Sequence, residues 1–183
     1  MEGYVEEDHT RASLLPSCPE KGLTLESLPE WARERNARTP NKLRMRDNRV
    51  RYAIPEVMTV YMSVGGEDEI AVETIRAFGP RETVSYGANK SAFAHACLVQ
   101  MDGQGQSKFT VFRQLSQQLT HILEQEAPVK FQTVVALLDA YENVFVSVCG
   151  TCGRVVTGSG HIPALIRTYD GGSWRVRHIG CGN

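Results

Sequence analysis

Two short-gapped pairs of metal-ligating side chains constrain this chain more than any other feature of its sequence. Cys149 and Cys152 lie in "VCGTCGRVV", His178 and Cys181 lie in the closing "RHIGC", and twenty-five residues separate the pairs. A two-residue gap lets one tight turn present both ligands to a single ion, and two such pairs complete a tetrahedron of three thiolates and one imidazole. Gly153, directly after the second cysteine, tolerates the backbone angles of a sharp knuckle whose amides face the sulfurs. The spacing therefore predicts a zinc site made of Cys149, Cys152, His178 and Cys181. Four protein ligands leave no open position for water or substrate, so the zinc is expected to be structural. His161 is a rival fourth ligand, but it has no partner at short spacing. Five cysteines, three of them in the last 35 residues, suit metal ligation in a reducing compartment better than a disulfide framework.

Between the pairs, Val155, Val156, Ile166, Tyr169, Trp174 and Val176 are expected to form a small apolar core, with Arg154, Arg175 and Arg177 balancing the negative charge of the ion and its thiolates. Such a core is too small to fold alone, and metal binding supplies the difference, roughly 10–16 kcal/mol of apparent free energy in zinc-finger peptides. A redox dithiol is the competing reading of Cys149 and Cys152. That motif opens a helix after a strand, whereas this pair follows a predicted helix and runs into "RVVTGSG", which reads as strand and turn.

Catalytic metal chemistry finds no motif. Zinc deaminases pair C-x2-C with H-x-E, and none of His9, His95, His121, His161 or His178 has a glutamate two residues later. The H-E-x-x-H of zinc proteases and the G-x-S-x-G of serine hydrolases are also absent. The chain is expected not to be an enzyme.

A chain of 183 residues with 42% hydrophobic content buries one sizeable core, or one core plus a small stapled appendage. Its net charge of -1 hides an uneven distribution. Residues 1–30 hold seven acids and two bases, residues 31–52 eight bases and two acids, and the remainder is close to neutral. No pervasive basic field argues for nucleic-acid binding. No apolar run spans a membrane, and the acidic start "MEGYVEEDHT" is unlike a secretory signal, so a soluble, intracellular chain is expected.

Residues 1–52, with four prolines and the run "WARERNARTPNKLRMRDNRVR", read as a charged and mostly extended arm with a short helix near Leu28 to Arg38. Its basic run suits a solvated segment or one that docks on an acidic partner, with nuclear import or phosphate contact as the alternative. Residues 53–183 read as a single α+β domain in which 146–183 forms the zinc-binding lobe. "VMTVYMSV" alternates Met58, Val60, Met62 and Val64 against Thr59, Tyr61 and Ser63, which predicts a half-buried strand. Gly65-Gly66 predicts a tight turn, and Ile70, Val72, Thr74 and Phe78 resume the alternation to complete a hairpin. "SAFAHACLVQM" is rich in alanine yet apolar on both parities, which suits a buried strand or a short helix, with the strand preferred. "GQGQSK", residues 103–108, lacks the spacing of a phosphate loop and is a polar connector.

Two amphipathic helices follow. The first carries Val111, Phe112, Leu115, Leu119, Ile122 and Leu123 on one stripe, with Ser107 placed to cap its start, His121 at the stripe's boundary and Pro128 ending it. The second carries Phe131, Val134, Val135, Leu138, Tyr141 and Phe145. The fold expected is α+β: a small antiparallel sheet packed by two amphipathic helices, with a C-terminal zinc-bound lobe.

The order of these pieces resembles the C-terminal region of the Mediator complex subunit 27 family, over about residues 55–183. The likeness is carried by "YMSVGG", "SKFTVFRQLSQQLTHIL", "FQTVVALLDAYENVF" and then "CGTCGRVV" with a terminal W-x3-H-x2-C. The family's cysteine and histidine positions fall on Cys149, Cys152, His178 and Cys181. The resemblance implies a non-enzymatic nuclear protein of the Mediator tail that helps relay signals from DNA-bound activators to RNA polymerase II. Its implied partners are other Mediator tail subunits, with neither a membrane nor a specific nucleic-acid sequence among them. Family members usually begin with long coiled-coil helices, and no apolar heptads precede Val57 here.

Two other readings compete. Arg154, Arg167, Arg175 and Arg177 beside the metal, together with the basic arm, would suit a nucleic-acid-binding zinc ribbon, and Cys149 with Cys152 would suit a thiol oxidoreductase.

Overall fold

A computed structural model describes residues 15–17, 21–82 and 105–182. The strand expected in "SAFAHACLVQM" lies outside the described residues.

Four antiparallel strands form one sheet in the order β1-β2-β3-β4: β1 Lys42–Arg46, β2 Arg49–Ile54, β3 Met58–Gly65 and β4 Ala71–Phe78. Before them runs α1, Leu28–Arg38, with Leu28 and Ala32 buried. After them come α2, Thr110–Glu126, and α3, Phe131–Asp139. A second antiparallel pair, β5 Ile166–Asp170 and β6 Ser173–Arg177, closes the chain.

The arm expected over 1–52 is therefore corrected: residues 28–52 supply a packed helix and two strands of the main sheet, and the boundary at 52 falls inside β2. The physical reason is periodicity beneath the charge. Leu43 and Met45, then Val50, Tyr52 and Ile54, alternate with Lys42, Arg44, Arg46, Arg49 and Arg51, so the cations occupy one face and the apolar residues enter the core. Asp47, at a φ of 55°, turns the chain between these strands.

The β3–β4 hairpin forms with a shifted parity. Ser63 pairs with Thr74 and Val64 with Val72, which leaves Glu73 as an extra residue on β4. A bulge of this kind reverses which side later residues face. Val72, Ile75 and Ala77 join the main core, while Thr74 is exposed and Phe78 packs outward against Tyr61, so Thr74 and Phe78 do not continue the face of Ile70 and Val72. Gly66 turns the hairpin at a φ of 127°, where any Cβ would strike the Glu69 carbonyl.

Helix α2 packs along β4 with the expected stripe: Phe112, Leu115, Leu119, Ile122 and Leu123 are buried. Ser116 Oγ accepts from the Ala77 amide at 2.8 Å and so occupies part of the free edge of β4. Ser107 does not cap this helix, which starts from Phe109 without a side-chain cap. Ser107 instead donates to Glu82 at 2.7 Å, and the Glu82 carboxylate also accepts the Lys108 amide. A carboxylate here complements the positive end of the helix. Beyond Pro128, the Val72 amide donates to Val129 and the Phe131 amide to Ile70, which lays the start of α3 beside β4. The helix ends at Asp139, and Tyr141 and Val144 are buried in the turns after it while Phe145 faces outward.

A polar cluster ties α1, β2 and α3 together. Asp139 accepts from Arg35 at 2.6 Å, from the Tyr52 hydroxyl and from Asn41 at 3.1 Å. Burial pushes the Tyr52 hydroxyl well above the usual tyrosine range, and the bond to Asp139 pushes it further.

Candidate metal centre

The chain leaves Tyr141 through a series of turns and enters "VCGTCGR" with Cys149 buried and Cys152 exposed. The knuckle closes on itself: the Gly153 amide donates to the Cys149 carbonyl at 2.9 Å, and the Cys149 amide donates to Arg154 at 2.9 Å. Gly153 has a φ of 69° with nothing near its missing Cβ, so backbone conformation alone selects glycine here.

The second pair arrives on the β5–β6 hairpin. Gly171 and Gly172 both have positive φ, as a two-residue type I′ turn requires, and β6 then runs directly into His178. The Gly150 amide donates to the Val176 carbonyl at 2.8 Å, which fixes the first knuckle to β6. The result brings all four expected residues together: ligand atoms of Cys149, Cys152, His178 and Cys181 all lie within 4.8 Å of one another.

The donor set fits a tetrahedral ion. With Zn–S distances of about 2.3 Å, sulfurs on a tetrahedron sit roughly 3.8 Å apart, so the widest separations need close by no more than about 1 Å to surround an ion. The imidazole is already oriented. His178 is buried, and its Nε2 lies 3.2 Å from the Val155 carbonyl, which can only accept, so Nε2 carries the proton. Nδ1 is left with its lone pair 3.3 Å from Cys152 Sγ and 3.8 Å from Cys181 Sγ. Anchoring one ring nitrogen on a carbonyl to aim the other at an ion is how histidine ligands are held in metal sites.

The thiols are polarised against one another. Burial pushes the Cys149 thiol up, but the Cys152, His178 and Thr151 amides and the Cys152 side chain outweigh it and bring it down to about 6. Cys181 is pushed up to about 11, first by burial and then by the Cys152 and Cys149 sulfurs beside it. A dication reconciles such a set, because it stabilises every thiolate at once.

Several neighbours differ from expectation. His161 is exposed and stands outside the quartet. The strand expected in "RVVTGSG" is reduced to a single bridge between Val156 and Pro163. The lobe has no core of its own: Val156 is exposed, and Val155, Ile166, Tyr169, Trp174 and Val176 are only half-buried. Ala164 and Leu165 are buried instead, and Leu165 belongs to the main core, with Trp174 packed against it.

Arg167 is buried rather than displayed. Its guanidinium lies 4.7 Å from the Tyr141 ring centre and donates to Ala140 at 3.1 Å and Ala164 at 2.7 Å. The sequence held a signal for this, since Arg167 shares its strand parity with Leu165. Arg175 pairs with Asp170 on the surface. Nor does the cysteine pair open a helix: turns surround it, and the first cysteine is the buried one, contrary to the arrangement of a redox dithiol.

Fold and site together define a small α+β protein whose C-terminal hairpin and knuckle assemble four residues able to hold a metal ion. Comparison with family models finds a match: residues 101–182 are similar to Mediator complex subunit 27. The resemblance carried by the helices, the C-x2-C knuckle and the closing H-x2-C is thus shown over that segment, and the family implies a subunit of the Mediator complex acting in transcription. No curated protein matches the chain. No helix among the described residues is long and apolar enough to cross a membrane.

Proposed function

We propose that this chain is a non-enzymatic subunit of the Mediator tail module, a nuclear interaction module that helps relay signals from DNA-bound activators to RNA polymerase II. Its direct partners are other Mediator tail subunits. One observation carries the reading: the segment that matches the family, residues 101–182, is the segment that contains the whole ligand quartet. A structural zinc ion held by Cys149, Cys152, His178 and Cys181 fixes the C-terminal hairpin against the turns after α3.

What such a lock presents is apolar. Phe145, Val146 and Val148, directly before Cys149, are 45%, 68% and 55% exposed. Phe112 links Phe109 and Phe145 through edge-to-face contacts at 6.3 Å and 6.2 Å. An exposed apolar strip beside a rigid knuckle is what a permanent subunit buries on assembly. Trp174 is half-buried, packed against the main core and edge-to-face on Tyr169, so it is not part of that strip.

Affinity purification of the tagged full chain from nuclear extract, read by mass spectrometry, tests the proposal. Other Mediator subunits are expected to co-purify with the wild type and to be lost with Val146→Asp, a surface change that leaves the fold intact. A folded, zinc-loaded chain recovered without any Mediator subunit would contradict it.

A further inference from the structure

The main sheet has two faces of opposite character. Strand register places Leu43, Val50, Tyr52 and Val60 on the buried side. The other parity places Arg44 and Arg46 of β1, Arg49 and Arg51 of β2 and Arg76 of β4 on the opposite side. Within it Arg44 stands directly across from Arg51, and Arg46 directly across from Arg49.

Like charges directly opposed across two strands destabilise a sheet. Nothing on the neighbouring strand relieves them, since Arg49 and Arg51 face Ser63 and Tyr61 on β3. Among the described residues none of the five arginines makes an ion pair. Arg51 reaches only the Thr59 hydroxyl at 3.4 Å, and Nη1 of Arg49 is buried without a hydrogen-bond partner. Among the described residues the face is therefore an array of closely spaced guanidinium groups without counter-charges.

We infer that this arginine face docks an acidic polypeptide segment of another protein, whose carboxylates pair with Arg44, Arg46, Arg49, Arg51 and Arg76. The repeat fits. Alternate residues of a strand stand about 6.6 Å apart, and an extended segment with acids at alternate positions has the same spacing. The guanidinium fork takes a carboxylate through two parallel hydrogen bonds, which an ammonium cannot do.

Two observations favour a carboxylate segment over a nucleic acid. The chain's net charge of -1 provides no general positive field to draw in a long polyanion. The aromatic pair on this face is closed: Tyr61 and Phe78 are 9% and 2% exposed and stack edge-to-face on each other at 5.7 Å, so they offer no platform for bases.

Fluorescence anisotropy with the full chain tests the inference, using a labelled peptide of alternating glutamate and threonine and, separately, single-stranded and duplex oligonucleotides of similar length. Arg44→Glu with Arg49→Glu changes one member of each opposed pair, and Arg44→Gln with Arg49→Gln removes the same charges without reversing them. The peptide is expected to bind the wild type, to lose affinity by about tenfold or more in the Glu variant and to lose less in the Gln variant. Thermal stability should hold or rise in both, because the like-charge pairs are relieved. Absence of peptide binding, equal affinity across the variants, or tighter binding of either oligonucleotide than of the peptide would overturn the inference. None of these outcomes bears on the zinc quartet or on Mediator membership.

Discussion

The Tyr141 hydroxyl donates to the Leu165 carbonyl at 2.8 Å, and both residues are fully buried. This bond joins the end of the helical core to the start of the C-terminal hairpin, and with Leu165 in the main core it explains how a lobe without its own interior stays in place. Tyr141→Phe keeps the packing and leaves a buried carbonyl unpaired. It is expected to cost about 1–3 kcal/mol in urea unfolding. Zinc content should not change, because no ligand is touched.

Arg167 crosses the same junction. Its guanidinium rests on Tyr141 and donates to backbone carbonyls on both sides, Ala140 and Ala164, without a carboxylate. Burial lowers its pKa, and the carbonyls at the end of α3 favour a cation there. Arg167→Lys retains the charge but replaces a planar fork by a point donor. Denaturant unfolding should show Arg167→Lys destabilised by roughly 1–3 kcal/mol, comparable to Arg167→Met, since either change strands buried acceptors.

Two buried tyrosines set an alkaline limit. Burial raises Tyr52, with Asp139 adding to the effect, and burial raises Tyr141 against the opposing charge of Arg167. The fold holds both hydroxyls neutral, so the stabilisation is complete below about pH 10, where an unfolded tyrosine ionises, and is lost as pH rises beyond it. Thermal melts from pH 8 to pH 11.5 should show stability falling above about pH 10. Tyr52→Phe should begin lower but fall less steeply over that interval.

Gly153 offers a test of the knuckle that leaves every ligand in place. At a φ of 69° with open space around its Cβ position, a substitution there meets backbone strain alone. Gly153→Ala is expected to cost about 1 kcal/mol and to weaken zinc binding measured by chelator competition, with Gly153→Val worse and Gly153→Asn milder.

Much of this structure was legible in the sequence where one signal dominated. The 3.6-residue stripe from Phe112 to Leu123 announced α2, the span from Leu28 to Arg38 announced α1, and ligand spacing alone assembled the four candidate residues. Signals failed where two overlapped. In "KLRMRDNRVRYAI" the charge concealed a period of two, so β1 and β2 read as an arm. At Glu73 a single bulged residue reversed the face of Thr74 and Phe78, which no local pattern records. The lobe's dependence on Leu165, Arg167 and Tyr141 is tertiary, and nothing within residues 146–183 specifies what that segment packs against.

A metal ion is expected to close the quartet and hold the lobe. Elemental analysis with native mass spectrometry on the purified, reduced full chain tests it most directly, beside Cys152→Ser and His178→Ala. One zinc per wild-type chain is expected, lost in both variants together with a marked fall in thermal stability. Wild-type protein that is folded and carries no zinc, or variants that retain it, would show that no ion held by these four residues secures the lobe.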